Sequence, residues 1–381
     1  MSTEHKNNNK NLWEVALLFL KLGATAFGGP AAHIAIMREE VVQKRKWISE
    51  QHFLDLIGAT NLIPGPNSTE MAIHIGHERA GWKGLILAGL CFILPAVIIT
   101  GVLAILYKEY GQLPRLQPFI YGIKPTIIAV ILSAIYPLAK TSVKSVELGI
   151  IGLITLLLSL IGINEIYLMF GAGFLMLAYT AARNRQNDSV KAIFPFTFLK
   201  LSGSGISGFS NLSIFLTFLK IGAILYGSGY VLFAFLDSEL VAKGIISRQL
   251  LMDAIAVGQF TPGPLFSSVT FIGYQISNFT GACLATIGIF LPSFLFVALL
   301  NPLVRKIRKS IMFSAFLDAV NVASVAIIVT ICYQMGKTII SDWRSITLVI
   351  GSLVVVFCFK KANSALVVLG GAVFGYLLHL L

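Results

Sequence analysis

The chain has 381 residues, 56% of them hydrophobic and only 12% charged, with a formal net charge of +12. Soluble domains carry roughly twice that share of charge, so a soluble enzyme, a disordered chain and a disulfide-stapled scaffold are excluded. Lipid is the solvent for most of the chain. Its basic excess sits in short segments between apolar stretches, which points to membrane topology and an anionic solute rather than to nucleic acid.

In chain order, the tail MSTEHKNNNK runs into an apolar span without a small-residue cleavage site, so no removable leader is expected. Stretches of spanning length, about 20 residues for a 30 Å core, cover 12–36, 84–106, 116–139, 146–162 and 166–182. Between the first two lies 50–77, a pair of short helical patterns around Pro64-Gly65-Pro66, each too short to cross alone. The polar, Gly/Ser-rich stretch 183–212 then separates an N-terminal half (1–182) from a C-terminal half (213–381). The second half offers spans at 212–236, 281–300, 312–335, 344–359 and 362–381, with 248–276 broken by Pro262-Gly263-Pro264. Cys91, Cys283, Cys332 and Cys358 lie in apolar stretches without a CxxC pair and read as small buried hydrophobes.

The halves repeat. A shift of 199 lays LLFLKLGATAFG over LTFLKIGAILYG, matching Lys21 to Lys220, Gly23 to Gly222 and Gly28 to Gly227. A shift of 198 matches Asp55 to Asp253 and one Pro-Gly-Pro to the other. A shift of 197 matches Gly76 to Gly273, Gly84 to Gly281, Pro95 to Pro292 and Lys124 to Asn321. If the broken segments are re-entrant hairpins, each half has five spans and the halves must be inverted. With both termini outside, 18 Lys and Arg fall inside and 8 outside, the sense the positive-inside rule requires. The expected fold is an all-α polytopic membrane protein of two inverted homologous halves, each of about five transmembrane helices plus a re-entrant hairpin, as in secondary transporters.

Helix breaks at membrane depth are tolerated where they are buried in protein or line a polar cavity. Beyond each proline triplet a helix N-terminus is freed, at Asn67-Ser68-Thr69 and at Leu265-Phe266-Ser267-Ser268, where N–H groups and hydroxyls favour an anion. Lys21 and Lys220 lie about ten residues into equivalent spans, and Lys124 is also embedded. Lysines at such depth usually face a polar interior, where an ammonium suits an oxyanion. Phe27-Gly28-Gly29-Pro30 and its counterpart Tyr226-Gly227-Ser228-Gly229 permit close backbone or solute approach. The expected substrate-binding set therefore comprises these turns, helix starts and lysines. Asp55, Glu70 and Asp253 are candidates for ion coupling, with His33 or Glu70 as a proton relay; Glu70 and His74 share a helix face. No catalytic or metal site is expected, nor a cofactor. P-loop, HExxH, GxSxG and CxxCH patterns are all absent, so drive must come from an ion gradient or the membrane potential.

The segments LGATAFGGPAAHIAIMREEVV, KWISEQHFLDLIGATNLIPGPNSTEMAIHIG and GLCFILPAVII resemble the first half of the chromate ion transporter family. FLKIGAILYGSGYVLFAFLDSELV, FTPGPLFSSVTFIGYQ and GIFLPSFLF are similar to its second half. The resemblance covers roughly 12–381 apart from the connector. It implies a bacterial inner-membrane protein that exports chromate, a tetrahedral dianion for which sulfate is a close analogue. The family motifs fall on Gly28, Gly29, Pro30, His33, Asp55, Pro64, Gly65, Pro66, Asn67, Asp253, Pro262, Gly263 and Pro264. YGSG departs from the family's usual FGGG. Expected partners are the oxyanion, membrane lipid and at most further copies of the chain. A transporter of sulfate or another oxyanion, or an anion channel of the same architecture, is the alternative.

Overall fold

The protein is described by a computed structural model covering residues 2–111, 113, 117–183, 210–307, 310–359 and 363–380. Every element among the described residues is helical, and seven elements occur twice in the same order. The first half contains α1 (Ser2–Thr25), α2 (Gly29–Arg38, prolonged by a π-helical turn over Glu39–Lys44), α3 (Glu50–Thr60), α4 (Asn67–Tyr110), α5 (Gln117–Ser142), α6 (Val146–Leu160) and α7 (Glu165–Arg183). The second contains α8 (Asn211–Ile224), α9 (Val231–Leu236, prolonged over Asp237–Val241), α10 (Arg248–Phe260), α11 (Ser268–Ile307), α12 (Ile311–Ile339), α13 (Trp343–Cys358) and α14 (Ser364–His379). Helix starts repeat too. Ser49 and Ser247 accept from the N–H groups of His52 and Leu250 to cap α3 and α10, and Ser145 and Asp342 cap α6 and α13.

Two devices shape each half. The first is a sharp bend within the long helix: Ala80 and Gly81 leave helical geometry in α4, as Ser277 and Asn278 do in α11. The bend folds a short arm back on the long one, and only glycine fits the contact. A Cβ on Gly76 would strike the Gly84 carbonyl and one on Gly84 the Gly76 carbonyl; Gly273 and Gly281 repeat this. The second device is the pair of tight turns. Gly28, Gly65, Gly227 and Gly263 all have positive φ, which costs glycine no Cβ clash.

The ends of the bundle follow from contacts along α5, which at 26 residues is about 39 Å long. At its C-terminal end lie Lys144 paired with Asp318, and Arg183 near Glu147. At its N-terminal end, Tyr121 bonds Asp342, and Lys108, beyond which the chain turns into α5, bonds Asn278. The long arms of α4 and α11 run antiparallel, with Gly89 against Phe294 and Lys108 against Asn278. The first half thus presents Lys44, Arg45, Arg79, Lys83, Lys140, Lys144 and Arg183 at one end, called the basic end below.

This arrangement corrects the expected spans 12–36 and 212–236. Neither is a single crossing. The helix stops at Thr25 and restarts at Gly29, and the Lys21–Glu40 pair shows α2 returning beside α1; Leu225–Tyr230 repeats the turn between α8 and α9. Among the described residues, each half therefore has two re-entrant hairpins and four helices running between the ends: the long arm of α4 with α5, α6 and α7, and the long arm of α11 with α12, α13 and α14. The cause is a run of positive φ at Gly28 and Gly29, and at Gly227, which no continuous helix accommodates. Inversion stands, because α1 starts at the basic end, where Glu14 pairs with Arg79, whereas Asn211 at the start of α8 bonds Ser277 at the opposite end. Most of the 183–212 connector lies outside the described residues.

Among the described residues, five helical stretches, 67–110, 117–142, 165–183, 265–299 and 311–339, are long and apolar enough to cross a membrane. The outward faces of the bundle are apolar, including Ile150, Leu153, Leu157, Leu175 and Val354. Trp82 stands exposed just past the bend of α4 and Trp343 at the start of α13, as in an interfacial aromatic belt.

Candidate oxyanion site at the crossed hairpin tips

All four re-entrant turns meet at the centre, each half's proline turn engaging the other half's glycine turn. The Gly65 N–H donates to the Leu225 carbonyl at 2.8 Å, and the Gly263 N–H donates to the Ala26 carbonyl at 2.9 Å. Leu225 and Ala26 are equivalent under the 199-residue shift, so the two bonds are images of one another across the inverted repeat. Pro30 reaches Gly229 and Gly29 faces Tyr230, closing the ring of turns. His33 braces the Ala26 turn: its Nε2 bonds the Ala26 carbonyl at 3.1 Å, and the ring stands edge-on to Phe92. Both Pro-Gly-Pro turns are buried in this junction.

The junction opens towards the basic end. A cleft of about 450 Å³ runs from Thr141, Ser142, Lys144, Ser314 and Asp318 at the basic end to Asn61, Asn67, Gly227, Ser228, Asn321 and Ser324 at the tips. Its inner wall is rich in uncharged donors. Asn67 starts α4, where the free N–H groups and the helix dipole favour an anion; its amide donates to Asn61 at 2.9 Å. The outer wall carries Lys144, bonded to Asp318 at 2.6 Å. Ser228, which stands where the first half has Gly29, presents a hydroxyl to the cleft.

The equivalent space in the other half is filled. Leu265 and Phe266 occupy the place of Asn67 and Ser68 and belong to the main apolar core. Ser267 and Ser268 are buried with hydroxyls that find no partner among the described residues, and they do not line the cleft. Asn321 of the open side becomes Lys124 on the closed side. Lys124 reaches Asp253 on α10 at 3.1 Å, and the Tyr107 hydroxyl at the far end of α4 donates to the same carboxylate at 2.6 Å. Both charged side chains are nearly excluded from solvent, at 8% and 5% exposure. This buried bridge ties α4, α5 and α10 together at the end opposite the basic one.

Lys21 and Lys220 are not brought to the tips. Lys21 lies 3.5 Å from Glu40, and Lys220 bonds Glu239 at 2.6 Å. Lys44 and Lys243 complete matching triads on the π-helical turns, and Arg45 adds to the first. Burial alone would raise both carboxyls, but the cations around them hold Glu40 and Glu239 below the ordinary carboxylate range. These triads tie each glycine hairpin's returning arm to its first arm. The same 199-residue shift that pairs the lysines also pairs Glu40 with Glu239 and Lys44 with Lys243, so the partners were legible. Asn61 and Ser324, by contrast, carry no sequence signal that singles them out. Asp55 sits half-buried on α3, while its counterpart Asp253 is in the buried bridge. Glu70 is fully buried one turn into α4.

Residues 13–177 and 212–376 each match the family described as Chromate transporter. The chain is 29% identical to the "Chromate transport protein" of Cupriavidus metallidurans, over 97% of this chain and 94% of that one. It is also 29% identical to the "Probable chromate transport protein" of Synechococcus elongatus, over 97% and 96%. A "Chromate transport protein" of Pseudomonas aeruginosa is 27% identical over 94% and 90%. No solved structure matches the chain. The chain belongs to the chromate transporter family and is a multi-pass membrane protein.

Proposed function

We propose that this member of the chromate transporter family is a secondary transporter that exports chromate, or a similar tetrahedral oxyanion, by alternating access. The observation that carries the reading is the one-sided cleft: it leads from the basic end to a junction of four crossed turns and stops at a sealed, pseudo-symmetric counterpart. The oxyanion would rest on the N-terminus of α4 with Asn67, Gly227, Ser228 and Asn321 around it. Gly28, Gly65 and Gly263 shape the turns. Basic residues at the mouth would concentrate a dianion before entry. Opening the Lys124–Asp253 bridge while the cleft closes would release it at the other end. A continuous channel fits less well, because one end is blocked by paired charges and core packing.

By the positive-inside rule the basic end faces the cytoplasm. The start of α1 then lies inside, the reverse of the orientation expected for that terminus, and the end of α14 lies outside as expected. The altered hairpin count is the reason: α1 and α2 together do not cross. Export of a dianion gains from an inside-negative potential, about 2.3 kcal/mol per charge per 100 mV.

The test is uptake of radiolabelled chromate and sulfate into inverted vesicles, with and without an imposed potential. Saturable uptake that an interior-positive potential accelerates is expected. Asn67→Ala and Asn321→Ala should each raise the half-saturating concentration about tenfold, the equivalent of one lost polar contact. Flux that never saturates, or saturates identically in both variants, would refute the reading.

A further inference from the structure

The inverted repeat is broken at one point that bears on coupling. In the first half the proline turn carries an ionisable group: a Cβ on Gly65 would strike both Glu70 Oε1 and Ser293 Oγ. Around the second half's proline turn Ser268 stands in the place of Glu70, and Ala96 of the first half, which lies over Gly263, stands in the place of Ser293. Glu70 is 0% exposed; its carboxylate oxygens make no well-formed hydrogen bond among the described residues, and the Ser293 hydroxyl is the group that interacts with them. No described cation pairs with it. Across the junction its titratable neighbour is Tyr226 in the α8–α9 turn, and Ser293 faces it from α11.

A row of imidazoles leads towards it along the short arm of α4. His74, one turn on, is 1% exposed with both ring nitrogens unpartnered. His77 and His52 lie in its electrostatic surroundings. His52 reaches Glu78 at 3.3 Å near the basic end of that arm.

We propose that Glu70 is the proton-binding residue of the transport cycle, protonated whenever an oxyanion rests on the α4 N-terminus, so that one proton and one oxyanion move together. The reason is electrostatic. Glu70 sits in the first turn of α4, so as a carboxylate it would neutralise the very helix end that the oxyanion needs. A dianion beside it disfavours that second negative charge, and by linkage each ligand strengthens the binding of the other. The proton comes from water at the basic end, passes through His74 by gain at one ring nitrogen and loss from the other, and rests on a Glu70 oxygen. It returns to water when the oxyanion leaves at the far end. The net charge moved per chromate falls from two to one.

This inference rests on the transport reading, and the experiment separates the two. Full-length protein in liposomes is assayed at alkaline pH, where chromate is the dianion, with the potential clamped at zero. Exchange of labelled for unlabelled chromate without gradients tests transport itself; its absence overturns that reading. Where exchange occurs, an inward proton gradient should drive net chromate uptake with accompanying proton uptake. Apparent affinity should rise by up to about tenfold per unit fall in pH. Glu70→Gln should keep exchange while losing both the gradient-driven uptake and the pH dependence. Wild-type exchange indifferent to the gradient, or a Glu70→Gln variant that still couples, overturns the proposal. Should Glu70→Gln fail to fold, Ser293→Ala and His74→Gln take its place. Each should slow gradient-driven uptake several-fold without slowing exchange, and unchanged driven uptake in both overturns the proposal.

Discussion

Replacing Lys124 by methionine probes the seal at the closed end. The substitution keeps the volume of the side chain but leaves Asp253, 5% exposed, with the Tyr107 hydroxyl as its remaining hydrogen-bond partner among the described residues. Two charges 3.1 Å apart attract by about 5 kcal/mol at an effective dielectric constant near 20. Removing one partner of a buried pair costs about 3–5 kcal/mol, most of it the penalty of the stranded charge. For a chain of this length that is a fall of roughly 4–6 °C in the apparent melting temperature. Replacing both residues, as in Lys124→Met with Asp253→Leu, removes the stranded charge. The remaining loss is the Tyr107 hydrogen bond, about 1 kcal/mol. The double variant should therefore melt above Lys124→Met, within a few degrees of the wild type. Melting is followed in lipid nanodiscs at one scan rate, because membrane proteins of this size unfold irreversibly. If the losses of the two single variants simply add in the double variant, the pair is not a coupled unit and the seal has another origin.

Three other outcomes follow from the architecture. Single cysteines at Val42, Ala80 and Arg183 should label from one face of the membrane, and cysteines at Asn211 and Lys243 from the other. Labelling of Arg183→Cys and Asn211→Cys from the same face would refute the inversion. Gly76→Val and Gly273→Val should each cost at least about 3 kcal/mol, since the new side chain meets a backbone carbonyl that cannot move aside; recovery of normal amounts of folded protein would refute the tight contact. Glu239, held low by Lys220 and Lys243, stabilises its hairpin above the ordinary carboxylate range, and that stability is lost as pH falls through its lowered value. The wild type should lose apparent melting temperature below about pH 4, and Glu239→Gln should lose less over the same window. Equal acid sensitivity of the two proteins would count against the triad.

What the sequence by itself determined is the material and the module. Composition selects lipid as solvent, and three nearly equal shifts expose the duplication. The proline turns mark breaks that cannot be left in hydrocarbon. These are local properties, carried by apolar run lengths, glycines and prolines, and they survive translation into three dimensions. The number of crossings did not, because an apolar run of 25 residues reads as one span whether or not Gly28 turns it back. Only the tertiary structure decided which turn meets which. The bonds from Gly65 to Leu225 and from Gly263 to Ala26 join segments more than 150 residues apart, and nothing in either segment names its partner. Tertiary packing likewise turned Lys21 and Lys220 towards Glu40 and Glu239, since an ammonium in a low-dielectric interior goes to the carboxylate within its reach. It also opened one of two equivalent spaces and filled the other: Asn67 and Asn321 leave room for water where Leu265, Phe266 and the Lys124–Asp253 bridge do not. The residue differences behind that asymmetry stand in the sequence, but that they leave one space open and fill the other is decided by packing.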